Sequence, residues 1–267
     1  VTVALSGDGA DEIFSGYNKH AAWWKIEHSD RFKNLVSLIH PLTRILPKSR
    51  SGSFSNAIRQ IDRFALAKKM NPVDRYWFLA TFAGENYASD LLIKQPADTS
   101  HRNHWMESMR SYQDLNDLLW LDTKFVLPND MLKKVDLMSM ANSLEVRVPF
   151  LDHELIEFVF GLPSDMKINK TMRKRILQDT FKDVLPSQLY NRPKKGFEMP
   201  LLDWLKSSLG TELSTNLFDR EKITSQGIFQ WNEIEKLRNQ LYSNSPGDSH
   251  VQIWSLYVFQ KWYDKYF

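Results

Sequence analysis

Three stretches of the chain carry residue types that could do chemistry. The first is LSGDGADEIFSGY, Leu5–Tyr17, which follows a strand-like VTVA. A strand running into Ser6-Gly7-Asp8-Gly9 and then a helix gathers backbone N–H groups at one spot, where anions bind readily. Asp8 and Asp11 lie about one helical turn apart, so their carboxylates could converge on a hard cation such as Mg²⁺, which prefers oxygen ligands. The same residues also suit a tight turn with a helix-capping acid.

The second stretch is Leu127–Asp152, LPNDMLKKVDLMSMANSLEVRVPFLD. Asn129 can cap a helix whose buried face would be Met131, Val135, Met138 and Asn142. After it, Leu144, Val146, Val148 and Phe150 alternate with Glu145 and Arg147, which predicts an extended, partly buried segment with Glu145 and Arg147 together on its polar face. A buried Arg–carboxylate pair would be bidentate and orienting. The preferred reading is structural, with the pair pinning a loop to the core. The methionines Met131, Met138 and Met140 read as core filling rather than ligands.

The third is Asn191–Trp204, NRPKKGFEMPLLDW. Pro193 and Pro200 preclude a continuous helix, and Gly196 permits a backbone shape that other residues resist. Lys194 and Lys195 are adjacent and point opposite ways in an extended loop, so only one can enter a cleft. It would be a cationic clamp for phosphate oxygens; the alternative is two solvated lysines. His101 and His104 fit a surface better than a zinc site. Ser6 and Ser139 have no evident histidine base, so a hydrolase triad lacks support.

The elements that must position these residues are mostly helical. Few runs after Leu5 alternate with period two, and most segments space apolar residues three and four apart. The chain is therefore expected to be mainly α, with at most a short strand at Val1–Leu5. One helix is predicted from Ala10 to about Trp24 and another over Arg31–His40, ended or kinked by Pro41. Lys48–Ser55 reads as a surface linker, and Asn56–Met70 and Pro72–Tyr87 as helices, the latter capped by Asn71. Met106–Met140 should hold two helices interrupted at Pro128. Asp152–Phe160, Arg173–Val184, Pro200–Leu209, Trp231–Tyr242 and His250–Tyr266 complete the set. Tyr242–Asp248 is the weakest point after the first linker. Tyr17, Trp23 and Trp24 read as core or interface aromatics.

The 267 residues carry 35 basic and 32 acidic side chains, a net charge of +3 that is too small to argue for a nucleic-acid surface. No cysteine is present, which excludes disulfides, thiolate metal sites and a thiol nucleophile from these residues. No apolar run approaches the roughly 18 residues of a membrane span, so no membrane partner is expected and a cytoplasmic setting is the default.

Taken in order, the three stretches resemble the synthetase domain of glutamine-dependent asparagine synthetases. Ser6 through Tyr17 match the family's S-G-(D/E)-G-x-D-E-x-F-x-G-Y loop. Ser139 through Asp152 match S-M-A-x-S-L-E-x-R-x-P-F-L-D, and Arg192 through Pro200 match R-P-K-x-G-F-x-x-P. The resemblance spans most of the chain and is weakest over Trp24–Asp114. It implies the helical C-terminal lobe of an α/β adenine-nucleotide α-hydrolase-like (PP-loop) synthetase domain. The family's S-G-G-x-D-S loop does not occur in the sequence. Residues 1–267 are therefore expected to form a single domain, the C-terminal portion of the synthetase, lacking the glutaminase domain and ATP-loop region and inactive alone.

The chemistry implied by the resemblance is ATP-dependent adenylation of aspartate, with release of pyrophosphate, followed by attack of glutamine-derived ammonia on the acyl-adenylate. The resemblance makes Ser6 and Gly7 nucleotide contacts, Asp8 the acid that supports the intermediate, Asp11 a Mg²⁺ ligand, and Lys194 the lysine that steadies negative charge. Glu145, Arg147 and Asp152 would shape the pocket wall. Two departures stand out. Leu137 occupies a position where many members carry a basic residue, and Ser15 replaces a frequent glycine. Alternatives are an amidotransferase or β-lactam synthetase-like enzyme acting on another carboxylate, and a non-catalytic helical module. An unpaired edge at Val1–Leu5 would favour a homodimer.

Overall fold

A computed structural model describes residues 1–43, 46, 53–82, 87–94, 100–192 and 199–267. They pack into two compact units, residues 1–33 with 100–196, and residues 34–99 with 197–267. The described chain is mainly helical, as periodicity predicts.

The first unit holds a two-stranded parallel sheet. Strand β1, Val3–Leu5, pairs with β2, Glu145–Arg147, in the register Val3 to Glu145, Ala4 to Val146 and Leu5 to Arg147. The expectation of a single short strand is thus corrected: the alternating LEVRVPF segment is extended, and backbone pairing with β1 makes it a strand. Leu144, Val146, Val148 and Phe150 are half-buried, while Glu145 and Arg147 are exposed.

The helix expected over Ala10–Trp24 is two helices, Ala10–Ile13 and Asn18–His28. Ser15 between them takes φ +62°, which ends α-helical winding. Ala10, Ile13, Phe14 and Val159 form a small core with Phe150, Ile176 and Leu177 packed against it. That core joins the opening loop to the helices His153–Phe160 and Arg175–Phe181.

Pro128 does not interrupt the chain's winding. Helical structure runs from Leu115 to Met140, passing through π-type turns over Asp122–Leu132. Wider turns leave room for the proline ring that an α-helical turn lacks. Asn129 is inside this rod and donates to the Phe125 carbonyl, so it is not a cap. The helix Lys133–Met140 buries no residue, and Met138 and Met140 are 63% and 54% exposed. These methionines are therefore not core filling. Their helix lies against β2, and a two-stranded sheet is too narrow to cover an apolar face.

Helix Asp30–Thr43 runs two residues past Pro41, where a missing N–H costs little so near the helix end. In the second unit the helix Pro72–Ala80 starts as predicted, with Asn71 Oδ1 accepting from the Asp74 N–H at 3.0 Å, but Thr81 ends it early. The expected linker Lys48–Ser55 lies partly outside the described residues; from Ser53 the chain is already helical, over Ser53–Ala67. Trp231–Tyr242 and Ser249–Tyr266 pack through Ile234, Leu237, Leu241, Ile253 and Leu256. Tyr242–Asp248 is thus a connection within one core, not a boundary. The short helices Gly210–Asn216 and Arg220–Gln226 were not legible from periodicity.

Candidate functional site

The opening loop is tied to β2 through its backbone. Ser6 N–H donates to the Arg147 carbonyl at 2.9 Å, extending the strand pairing by one bond. The Ser6 hydroxyl donates to the Asp8 carboxylate and accepts from the Asp8 N–H at 3.3 Å, which closes a tight polar turn. Gly9 follows at φ +86°, and a Cβ there would lie 2.3 Å from Leu151 Cδ2. Only glycine meets both demands. Gly7 is exposed, and a Cβ on it would meet nothing within 4 Å, so this side of the turn is open.

Asp11 has a partner the sequence did not indicate. Lys174 Nζ lies 2.9 Å from Asp11 Oδ1, both side chains being mostly buried. The pair rests against Gly16, where a Cβ would fall 1.7 Å from Asp11 Oδ1 and 2.4 Å from Lys174 Cε. Packing of Ile176 and Leu177 against Ala10, Ile13 and Phe14 brings the lysine here. Lys174 itself takes φ +51° and ψ +38°, a left-handed conformation uncommon for a non-glycine residue. Beside it, Arg173 donates to Asn18 Oδ1.

Beneath the loop is a buried polar layer. The Tyr17 hydroxyl donates to Glu12 Oε1 at 2.5 Å. Burial pushes the Glu12 carboxyl up, against the lowering effect of that hydrogen bond, and burial beside Glu12 raises the Tyr17 phenol. Lys19 Nζ reaches Asp122 Oδ1 at 2.6 Å, and His20 Nε2 reaches Asp122 Oδ2 at 2.7 Å. Burial lowers His20, and its Nδ1 accepts the Tyr17 N–H at 3.3 Å. The network therefore assigns a neutral imidazole with its proton on Nε2. Burial raises Asp122, but the Lys19 charge and the His20 hydrogen bond outweigh it and hold the carboxyl at about 2. Trp23 is buried, its indole N–H donating to Glu27 and Tyr112.

The remaining candidates are distributed differently. Arg147 Nε and Glu145 Oε1 pair at 2.8 Å as expected, but both side chains are more than half exposed. Such a pair pins nothing; the backbone ladder holds this segment. Asp152 caps the helix His153–Phe160, accepting from the N–H groups of Glu154 and Leu155. His104 is exposed. Lys194 and Lys195 lie outside the described residues.

The structure thus joins the opening loop to β2 at Ser6 and Arg147, pairs Glu145 with Arg147, and pairs Asp11 with Lys174. Sequence reading missed Lys174, Glu12, His20 and Asp122. Only Gly16, five positions after Asp11, hinted at crowding there. Among the described residues no group of three or more His, Cys, Asp or Glu side chains could hold a metal ion. Asp8 and Asp11 would be a partial ligand set, of the kind Mg²⁺ uses when phosphate oxygens and water complete its shell.

Comparison with known proteins agrees with the motifs. The family model described as asparagine synthase matches residues 1–264. The chain is 29% identical over 269 residues to asparagine synthetase [glutamine-hydrolyzing] 1 of Bacillus subtilis (strain 168), covering 98% of this chain and 40% of the relative. It is 29% identical over 257 residues to amidase chyE of Penicillium rubens, covering 88% and 38%. A mouse asparagine synthetase [glutamine-hydrolyzing] is 42% identical over 67 residues, 24% of this chain and 12% of the relative. The chain spans about 40% of the length of its long-matching curated relatives. No solved structure matches. With its motifs in order and the family model matching residues 1–264, this chain belongs to the asparagine synthase family.

Proposed function

We propose that the chain supplies part of the synthetase site of an ATP-dependent, AMP- and pyrophosphate-forming asparagine synthase, as the helical C-terminal lobe of a PP-loop domain. The observation that supports this reading best is the direct backbone pairing of the opening loop with the LEVRVPFLD segment, which puts two family motifs at one place. In this reading the backbone at Ser6 and Gly7 contacts the nucleotide on the open side of the turn. Asp8, oriented by the Ser6 hydroxyl, supports the activated acyl group, and Glu145 and Arg147 lie at the rim. Asp11 would help hold Mg²⁺, which supplies charge neutralisation at phosphate oxygens when bound. Lys194 would steady negative charge in the amide-forming step. Catalysis then rests on positioning and electrostatics. The substrates are aspartate, ATP and glutamine-derived ammonia, in a cytoplasmic protein.

A second reading keeps the chemistry and changes the acceptor carboxylate. It is favoured by Leu137, which is 53% exposed where many members carry a basic residue, and by the relative named an amidase. Incubation of the protein, joined to a segment carrying S-G-G-x-D-S, with aspartate, an ammonium salt and ATP tests both. Asparagine and AMP in equal amounts are expected. AMP formed only with a different carboxylate would favour the second reading, and no AMP with any carboxylate would overturn both.

A further inference from the structure

The Asp11 carboxylate already has a cation on it. Lys174 Nζ sits 2.9 Å from Oδ1, within the range at which an ammonium and a carboxylate oxygen make a charge-assisted contact. The arrangement is built rather than incidental. Gly16 leaves the space in which both side chain ends lie, since a Cβ there would overlap Asp11 Oδ1 and crowd Lys174 Cε. The root of the lysine is held too: its backbone is left-handed, its carbonyl accepts from the Gln178 N–H at 2.9 Å, and the next residues pack into the core below Asp11. A strained backbone kept by a non-glycine residue, with its side chain threaded to one carboxylate, points to a role for that contact.

An ammonium at contact distance neutralises the carboxylate and repels a divalent cation brought to the same oxygen, so the two compete for it in a partly buried site. We propose that Lys174 is the resident counter-ion of Asp11, occupying the place on Oδ1 that a divalent cation would take, so that metal binding at Asp11 requires the ammonium to leave. The lysine's flexible stem permits this, since its tip can swing while its root stays fixed. The inference rests on the reading of Asp11 as a metal ligand. It makes Lys174 a positioning residue that keeps Asp11 closed to divalent ions until something draws the ammonium away.

The test is titration of the 267-residue protein with Mn²⁺ alone, reading free ion by its paramagnetic resonance signal. Lys174→Met and Lys174→Gly are compared with the parent, each with and without Asp11→Asn. Lys174→Gly also suits φ +51°, so it provides a folded variant if Lys174→Met melts early. Both lysine variants are expected to bind one Mn²⁺ at least tenfold more tightly than the parent, and Asp11→Asn is expected to abolish the gain. No gain in either variant, or a gain that survives Asp11→Asn, overturns the proposal. Such a failure leaves the amide-forming reading to its own product assay. Conversely, a failed product assay leaves the Mn²⁺ result standing, because that measurement involves only Asp11 and Lys174.

Discussion

His20 Nε2 donates to Asp122 Oδ2 over 2.7 Å, and both side chains are fully buried. This contact joins helix Asn18–His28 to the long rod that begins at Leu115, and Lys19 completes it as the charge partner of Asp122. Replacing Asp122 by Ala removes the buried carboxylate that both Lys19 and His20 contact. Unfolding in urea should show a loss of about 3–5 kcal/mol.

The same contact sets the behaviour in acid. Asp122 is held at about 2, below its unfolded value of 3.8, so its contribution is present above pH 3.8 and lost as pH falls toward 2. His20 is lowered from 6.5 by burial, so the unfolded chain takes up that proton first and stability also erodes as pH falls below 6.5. Stability measured from pH 7 to pH 2 should therefore fall in two stages. His20→Gln should erase the upper one.

Lys167 gives an alkaline counterpart. Its Nζ donates to Asn116 Oδ1 at 2.6 Å and lies 4.8 Å from the Phe160 ring centre, with no exposed surface. Burial pushes it from 10.5 down to about 8. Between these values the unfolded chain holds a proton that the folded one has lost, so stability should rise by about 1.4 kcal/mol per pH unit. Lys167→Met should flatten that slope in denaturant titrations from pH 7.5 to 10.5.

Ser15 stands where family members often carry glycine, and it shows the cost of that departure. It is buried at φ +62°, and its hydroxyl has no hydrogen-bond partner. Ser15→Gly should relieve about 1–2 kcal/mol of left-handed strain and remove the buried hydroxyl, against about 0.5–1 kcal/mol of added chain entropy. A net gain of about 1 kcal/mol is expected, read as a higher midpoint in thermal unfolding.

The edge of β1 offers Val3 at 39% and Leu5 at 74% exposure, and the helix against β2 exposes Leu137, Met138 and Met140. Unpaired strand edges with apolar neighbours associate. Sedimentation should show concentration-dependent dimers that Leu5→Lys weakens. A monomer at all concentrations would count against this.

Since S-G-G-x-D-S does not occur in them, the 267 residues alone should give no ATP–pyrophosphate exchange. Joined to a segment that carries it, they should, and Asp8→Ala should lower the rate by a factor of roughly 10² or more, the scale of losing one electrostatic group at a reacting centre. Exchange by the chain alone would refute the first half of this expectation.

What the sequence determined by itself is local. The apolar spacing of Trp231–Tyr242, the Asn71-Pro72 start and the alternation of Leu144 to Phe150 all appear where residue order puts them, because each depends on hydrogen bonds and side-chain directions among near neighbours. The motif order was enough to reveal the family. Tertiary structure decided the rest. Periodicity marks Leu137, Met138 and Met140 as apolar but does not say whether anything covers them. Pro128 stays in a rod because the turns around it widen. Lys174 on Asp11 and Asp122 on His20 join residues far apart in the chain, and only packing of the intervening helices sets such pairs.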